Sequence, residues 1–545
     1  MAPSPPTIVH LPNGQSLSVS PVFGGLSFKA NDLHIPHNVF PPGWTIIINS
    51  EDDEEEDDDD NDDPSSERKN HIHRYKTPTL CNDHLFISSI SNPSSADFRA
   101  PTSPTRQIAM MLWATLYWYF HQSAPSPHLT TSASSSTPLE GRPKGEWRIN
   151  INREGIFKGR QLIPKLERMG LIASEDSSVG LDPDDGVTNA HQGWTKMFVS
   201  RRAFWQMDPR IYLFTLTPMH PNSPFPALSP AGSRPSSPSR GGPRDEDRHS
   251  HSQTRNLTSN SRSATPPPGP FHSTSHLPTY YPPPPLQYTF TNNTRHPLRP
   301  KPFRQGETIY TRYIPSLDQY LSFRVASLSK RPVPYAGPYP HAQSSAGASS
   351  TSDASLQSGR EILRSTSQEG KAQSTGPATM SDVEYLHQWH NDERVAHSWG
   401  ETGPVSHQEE FLRGGLQSRH SIPLIGLWDG KPFGYFEMYW VKEDRLGGYL
   451  GGDVGDFDRG LHVLVGETEF RGAHRVKVWI DALVHACWLA DSRTEVVLLE
   501  PRVDNVKLKT YLEDRGFYKE REIAFPHKQS NLMKIRRDGW EGPSI

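Results

Sequence analysis

The sequence predicts an α/β chain with a mixed-sheet C-terminal domain, an N-terminal α+β domain and long disordered linkers. Three observations carry that prediction. Residues 460–516 read as strand, turn, helix, strand, helix. The chain is only 33% apolar and holds 52 prolines in 545 residues, too polar and proline-rich to be globular throughout. A Ser/Pro-rich tract at 219–297 and a Ser, Gly, Ala, Gln and Thr tract at about 335–379 divide it into ordered regions 1–218 and 298–545.

Taken in order, Thr7–Leu11, Gln15–Val22 and Gly43–Ile48 read as strands separated by turn residues such as Pro12-Asn13-Gly14. Residues 51–63 carry twelve acidic side chains and one Asn; the formal net charge of −4 becomes +8 once those twelve are set aside. Such a block repels itself and stays solvated, as a loop insertion or a docking tail for a basic partner. Lys76–Ile90 contains another strand. Gln107–Gln122 is aromatic nearly all round and predicts a buried helix whose rings are core. A strand at Trp147–Ile151, a helix near Gly159–Met169 and further ordered sequence at Met197–Phe214 complete this half.

Order resumes at Gly306. The C-terminal block reads as a strand at Gln319–Ala326, helices at Asp382–His390 and His407–Gln417, and strands at Pro423–Trp428 and Phe433–Val441 joined by Asp429-Gly430. The strand Gly460–Gly466 follows, with Leu461, Val463 and Val465 on one face and His462 and Leu464 on the other. Arg471-Gly472 opens a helix to about Ala490. Glu495–Leu499 is the next strand, a helix runs from Asn505 to Gly516, and strands near Glu520–Phe525 and Asn531–Arg536 close the chain.

Composition excludes several classes. Two cysteines, Cys81 and Cys487, give no disulfide framework, and no Cys/His cluster has zinc spacing, so no metal is expected. No apolar run approaches membrane-spanning length, and no basic-aromatic stripe points to nucleic acid. A cytoplasmic location is expected. The closing Gly-Pro-Ser-Ile lacks a Ser-Lys-Leu ending, which leaves a peroxisomal location as the alternative.

The words PFGYFEMYWVKEDR (432–445), DRGLHVLVGETEFRGAHRVKVW (458–479), DSRTEVVLLEPRVDN (491–505) and FPHKQSNLMK (525–534) resemble one branch of the GNAT superfamily of CoA-dependent acyltransferases. That branch holds the fungal N5-hydroxyornithine acyltransferases of siderophore biosynthesis. More distant members are the bacterial hydroxylysine and mycobactin lysine acyltransferases. HLPNGQSLSVSPVFGGLSFKANDL (10–33) extends the likeness to the N-terminal region. One departure stands out: counting from Arg471, the superfamily's phosphate turn has small residues at the fourth and sixth positions, where this chain has His474 and Val476.

The resemblance implies transfer of an acetyl group from acetyl-CoA to N5-hydroxyornithine, giving a hydroxamate for iron capture. It also implies that His462 is the catalytic base, with an unperturbed pKa suited to proton transfer near neutrality. Asp504 is expected to orient His462 or take the proton itself, though it also suits a helix N-cap. Glu500 stands in reserve. Backbone N–H groups along Leu464, Val465 and Gly466 are the expected oxyanion donors. Arg471, Gly472, His474, Arg475 and Asn505 are expected around the CoA phosphates. Glu437, Trp440, Asp453 and Asp456 are candidates for the substrate ammonium, and His527 and Lys528 for its carboxylate or a CoA phosphate. Alternatives are a bulkier donor such as anhydromevalonyl-CoA, or a non-catalytic partner protein with a degenerate transferase domain. The N-terminal domain is expected either to pair with another copy, giving a homodimer, or to cover the cleft.

Overall fold

A computed structural model describes residues 7–31, 40–51, 72–91, 104–129, 131–159, 161–174, 197–207, 286–291, 293–300, 302–335, 337–340 and 378–545. The acidic run beyond Glu51, residues 219–285 of the expected linker and residues 341–377 of the expected insert lie outside these. So do residues 208–214 of the ordered stretch expected at Met197–Phe214.

The N-terminal half comprises β1 (Thr7–His10), β2 (Ser16–Val22), β3 (Gly25–Ala30), β4 (Gly43–Glu51), β5 (Ile72–Arg74), β6 (Asp83–Ser91), α1 (Pro104–Tyr119), β7 (Arg148–Ile151), α2 (Leu162–Arg168), β8 (Ala173–Ser174), β9 (Met197–Ser200) and α3 (Arg201–Trp205). Its sheet runs β1-β2-β3-β4-β6-β7-β9-β8, with β5 paired to β4. A small hairpin, β10 (Tyr288–Thr291) and β11 (Thr294–Pro297), follows, so the expected linker ends in structure rather than at residue 297.

The C-terminal half comprises β12 (Thr308–Ile314), β13 (Gln319–Val325), α4 (Asp382–His390), α5 (Glu393–Trp399), α6 (Val405–Gln417), β14 (Ser421–Trp428), β15 (Lys431–Trp440), α7 (Arg445–Leu450), β16 (Arg459–Val465), α8 (Ala473–Ala490), β17 (Val496–Leu499), α9 (Val506–Glu513), β18 (Tyr518–Ala524) and β19 (Gln529–Arg536). Its sheet runs β12-β13-β14-β15-β16-β17-β19-β18. β12, α5 and α7 were not legible in the sequence. The last two are helices of seven and six residues, too short for a periodic apolar stripe.

The two halves repeat one connectivity. In each, a four-strand antiparallel run leads to a strand, a long buried helix and a parallel neighbour: β6-α1-β7 and β16-α8-β17. A helix and an antiparallel pair then complete the sheet, with the last strand inserted beside the parallel one. α1 and α8 are apolar on almost every side because each is packed between its own sheet and the other half. The halves share one core. His485 on α8 donates from Nε2 to the Trp205 carbonyl at 2.8 Å, and Gln206 Nε2 donates to the carbonyls of Arg537 and Trp540, each at 2.7 Å.

The repeat is unequal where chemistry is concerned. In the C-terminal half, α4–α6 cross between β13 and β14 and cover the sheet face opposite α8. In the N-terminal half a tight turn joins the matching β2 and β3. Counting two residues past the parallel pair Gly460↔Leu498 reaches His462, opposite Glu437. The same count from Leu85↔Ile151 reaches Ile87, opposite Ile46.

Candidate active site

β16 and β17 pair only through Arg459↔Val497 and Gly460↔Leu498 and then part. Beyond that point each strand has one edge with no neighbouring strand. His462 and Glu500 face each other across the opening. The face they share lies between two small cores: one of α4–α6 with Tyr435 and Leu464, the other of α7 with Tyr439, Leu498 and Ile523. A gap between two packed clusters admits solvent, and 33% of the His462 side chain is exposed.

The ring is held at both nitrogens. Nδ1 lies 2.7 Å from Glu437 Oε2 and Nε2 lies 2.8 Å from Glu500 Oε1. Ionised carboxylates only accept, so both ring nitrogens donate and His462 is an imidazolium. Burial works against that charge, but Glu500 and Glu437 outweigh it and hold the pKa well above the ordinary histidine value. Burial likewise pushes Glu437 and Glu500 up, and the imidazolium more than reverses it, leaving both below the usual carboxylate range. The three groups therefore titrate as one unit with a net charge of −1 and room for one more proton. His462 is thus not the free neutral base that its unperturbed pKa suggests.

Two tyrosines from the same strand face fix the carboxylates. Tyr435 Oη donates to Glu437 Oε1 at 2.8 Å, and Tyr439 Oη to Glu500 Oε2 at 3.2 Å. Period-two alternation along β15 puts Tyr435, Glu437 and Tyr439 on one side. The Tyr439 ring also packs against the imidazole, tilted, at 4.6 Å between centroids. Gly460 makes this possible, because a Cβ there would lie 2.1 Å from the Tyr439 ring. Lys528 Nζ donates to the Glu500 carbonyl at 3.2 Å and sits 3.9 Å from its Oε1. Trp399 presents an edge to the imidazole from α5.

The other expected residues divide. Asp504 is not beside His462: it pairs with Arg502, with 57% of its side chain exposed, because the chain has turned outward after β17. Asn505, not Asp504, caps α9. Trp440 is buried under the guanidinium groups of Arg459 and Arg299, and Asp456 is tied to Lys442 and Tyr288; neither is free for an ammonium. Asp453 is exposed on the loop after α7. His527 is exposed beside Phe525. Glu437 is at the site as a histidine partner. Its role, and those of Tyr435 and Tyr439, follow from period-two spacing about the FEMYW stretch, once the register with β16 is known.

Gly466 N–H donates to the Phe433 carbonyl, so alternation turns Leu464 N–H the same way and Val465 N–H into the opening. Val465 alone of the three expected oxyanion donors faces it. Arg394 on α5 donates to the carbonyls of Val465 and Gly466 at 3.0 and 2.9 Å and anchors this strand end. α8 begins at Gly472, whose φ of +130° favours glycine, and no side chain caps its first N–H groups. Free N–H groups and a positive dipole end suit a phosphate. Arg471 and His474 are exposed there, whereas Arg475 turns away to bond Gln319 and stack on Trp428. Among the described residues no Asp, Glu, His and Cys cluster has the form of a metal site.

A forked mixed sheet, an uncapped helix start beside the fork and an acid/base cluster within it define an acyltransferase of the GNAT type. Residues 378–525 match the acetyltransferase (GNAT) domain family. The chain belongs to the N5-hydroxyornithine acetylase family: it is 46% identical over 568 aligned residues to N5-hydroxyornithine acetylase sidL of Beauveria bassiana (strain ARSEF 2860), covering 96% of this chain and 99% of that protein. The N(5)-hydroxyornithine:cis-anhydromevalonyl coenzyme A-N(5)-transacylase SIDF of the same fungus is 44% identical over 160 residues, 29% of this chain and 35% of its own length. The Escherichia coli N(6)-hydroxylysine O-acetyltransferase is 41% identical over 158 residues, 29% of this chain and 50% of its own length.

Proposed function

We propose that this chain acetylates the N5 nitrogen of N5-hydroxyornithine from acetyl-CoA, forming a hydroxamate for siderophore assembly and iron homeostasis in the fungal cytoplasm. The observation that carries the chemistry is His462, one-third exposed, held between two carboxylates at the strand fork. The substrate follows from near full-length similarity to a hydroxyornithine acetylase. A hydroxylamine nitrogen is largely neutral near pH 7, so the enzyme's tasks are to position it and accept one proton.

The nitrogen attacks the thioester carbonyl, the C–N bond forms, and the C–S bond breaks. The proton leaving nitrogen enters the Glu437–His462–Glu500 unit, which carries the required vacancy, and passes from it to the departing thiolate. Glu500, bonded to the exposed imidazole, is the carboxylate of the unit that takes up the proton. Val465 N–H serves the developing oxyanion. The α8 start, with Arg471 and His474, holds CoA phosphate. Lys528 supplies positive charge for the amino-acid carboxylate, with the neutral His527 ring, disfavoured as a cation by partial burial and Lys528, beside it as a hydrogen-bond donor. Asp453, exposed on the loop after α7, is a partner for the ammonium.

The test is thiol release on mixing the purified chain with hydroxyornithine and acetyl-CoA, with mass detection of the hydroxamate. Faster release with a bulky branched acyl-CoA moves the assignment to the transacylase reaction. Release with neither donor ends the proposal.

A further inference from the structure

A second polar centre lies away from the fork, at the junction of the two halves. Arg312 on β12 is 1% exposed, and beyond a contact with the Tyr310 hydroxyl its guanidinium has no polar partner. It borders a cavity of about 30 Å³ lined by both halves, including Tyr117 of α1, Trp205 of α3, and Tyr310 and His485 of the C-terminal half. The Tyr117 hydroxyl and the Trp205 indole N–H are also without partners.

The surroundings add positive charge and donors rather than an acceptor of opposite charge. His485 donates from Nε2 to the Trp205 carbonyl, so its Nδ1 is bare and receives the Tyr310 hydroxyl at 2.9 Å. Burial, with Arg312 nearby, drives His485 to about 3, so it is neutral. Arg201 lies close enough to be disfavoured by Arg312. Asp481, whose charge reaches Tyr310, is engaged by Arg515 and by the Ser544 N–H and hydroxyl. Among the described residues, no carboxylate lines the cavity.

A buried guanidinium without a counter-charge is strongly unfavourable. Water fills such a space but does not neutralise it, and it accepts only two hydrogen bonds where several donors converge. We infer that this cavity is a binding site for a small monovalent anion of halide size, which pins the N-terminal half to the catalytic half through Arg312. The volume is ample for a monatomic ion. The site is separate from the fork, because α8 and the sheet stand between them.

Chloride and bromide are the probes. The full chain is dialysed into sodium gluconate, and its unfolding midpoint is followed as gluconate is replaced by chloride or bromide at constant ionic strength. A ligand that binds only the folded state raises the midpoint in proportion to log concentration above its Kd. The expected result is a rise of several degrees from low millimolar halide, absent in Arg312→Gln. Tyr117→Phe, which keeps the ring and removes one donor, is expected to shift the onset about tenfold upward in concentration. Bromide anomalous scattering from crystals is expected at the cavity. Equal midpoints in gluconate and halide overturn the inference, as does a halide response kept in Arg312→Gln or a bromide peak only elsewhere. Should Arg312→Gln fail to fold, Tyr117→Phe and the anomalous map decide it alone.

Discussion

Replacing His462 by Ala tests the coupled unit more sharply than loss of turnover would. The substitution removes the one cation between Glu437 and Glu500, whose side chains are 17% and 6% exposed. Two carboxylates are then buried with only tyrosine hydroxyls and a distant lysine for company. Breaking a buried ion pair from one side costs about 3–5 kcal/mol, and the partial exposure of the ring places this case near the lower end, about 3 kcal/mol. The pH dependence follows from the shifts. The carboxylates sit below their usual 4.5, so their contribution is complete above that pH and fades as pH falls through the depressed values. His462 sits above its usual 6.5, so its contribution is complete below that pH and fades as pH rises through the raised value. The wild-type advantage is therefore full between about 4.5 and 6.5. In the variant the orphaned carboxylates take up protons as pH drops, so the difference from wild type shrinks towards pH 4. Urea unfolding at pH 6 and pH 4, with thiol release alongside, reads both effects. Adding Glu500→Gln to the variant is expected to recover about half of the lost stability and none of the activity. Equal unfolding midpoints for His462→Ala and wild type at both pH values would refute the imidazolium between two carboxylates.

Glu500→Gln alone is expected to lower kcat by about 10²–10⁴-fold with little change in KM for the thioester, since it removes the proposed proton acceptor and not a binding surface. Asp504→Ala, by contrast, removes an exposed partner of Arg502; turnover stays within about twofold and stability changes by about 0–1 kcal/mol. A large rate loss there would move the acid/base role back to Asp504. Gly460→Ala drives a methyl into the Tyr439 ring and is expected to destabilise by about 1–3 kcal/mol, with kcat reduced as the ring leaves the imidazole. Ile87→His leaves turnover unchanged, because the N-terminal fork lacks both carboxylates; thiol release by the double variant Ile87→His/His462→Ala should stay at the His462→Ala level.

Much of this was readable in the chain. The alternation of Leu461, Val463 and Val465 placed His462 on the opposite strand face, and the apolar stretch around Trp113 announced a buried α1. Gly472 marked the start of α8. What eluded the sequence was partnership across strands. Asp504 looked attractive because it follows a strand and precedes a helix, yet two residues of outward turn carry it to Arg502. Glu500, at the last position before Pro501, stays in the fork. Glu437 and the two tyrosines became legible as one set only through the β15/β16 register. Arg312 carried no signal in the sequence, because its isolation depends on a surface contributed by residues some 200 positions earlier in the chain.

Local periodicity and turn chemistry thus determined, from the sequence by itself, the kinds of element, much of their order and the face on which the histidine stands. Only the tertiary structure decided its charge and its companions. A pKa is set by what lies within a few ångströms, and those neighbours come from strands far apart in sequence. The same holds for the unequal repeat: one fold written twice, with a histidine between two carboxylates where the C-terminal strands part and isoleucines in the matching N-terminal place.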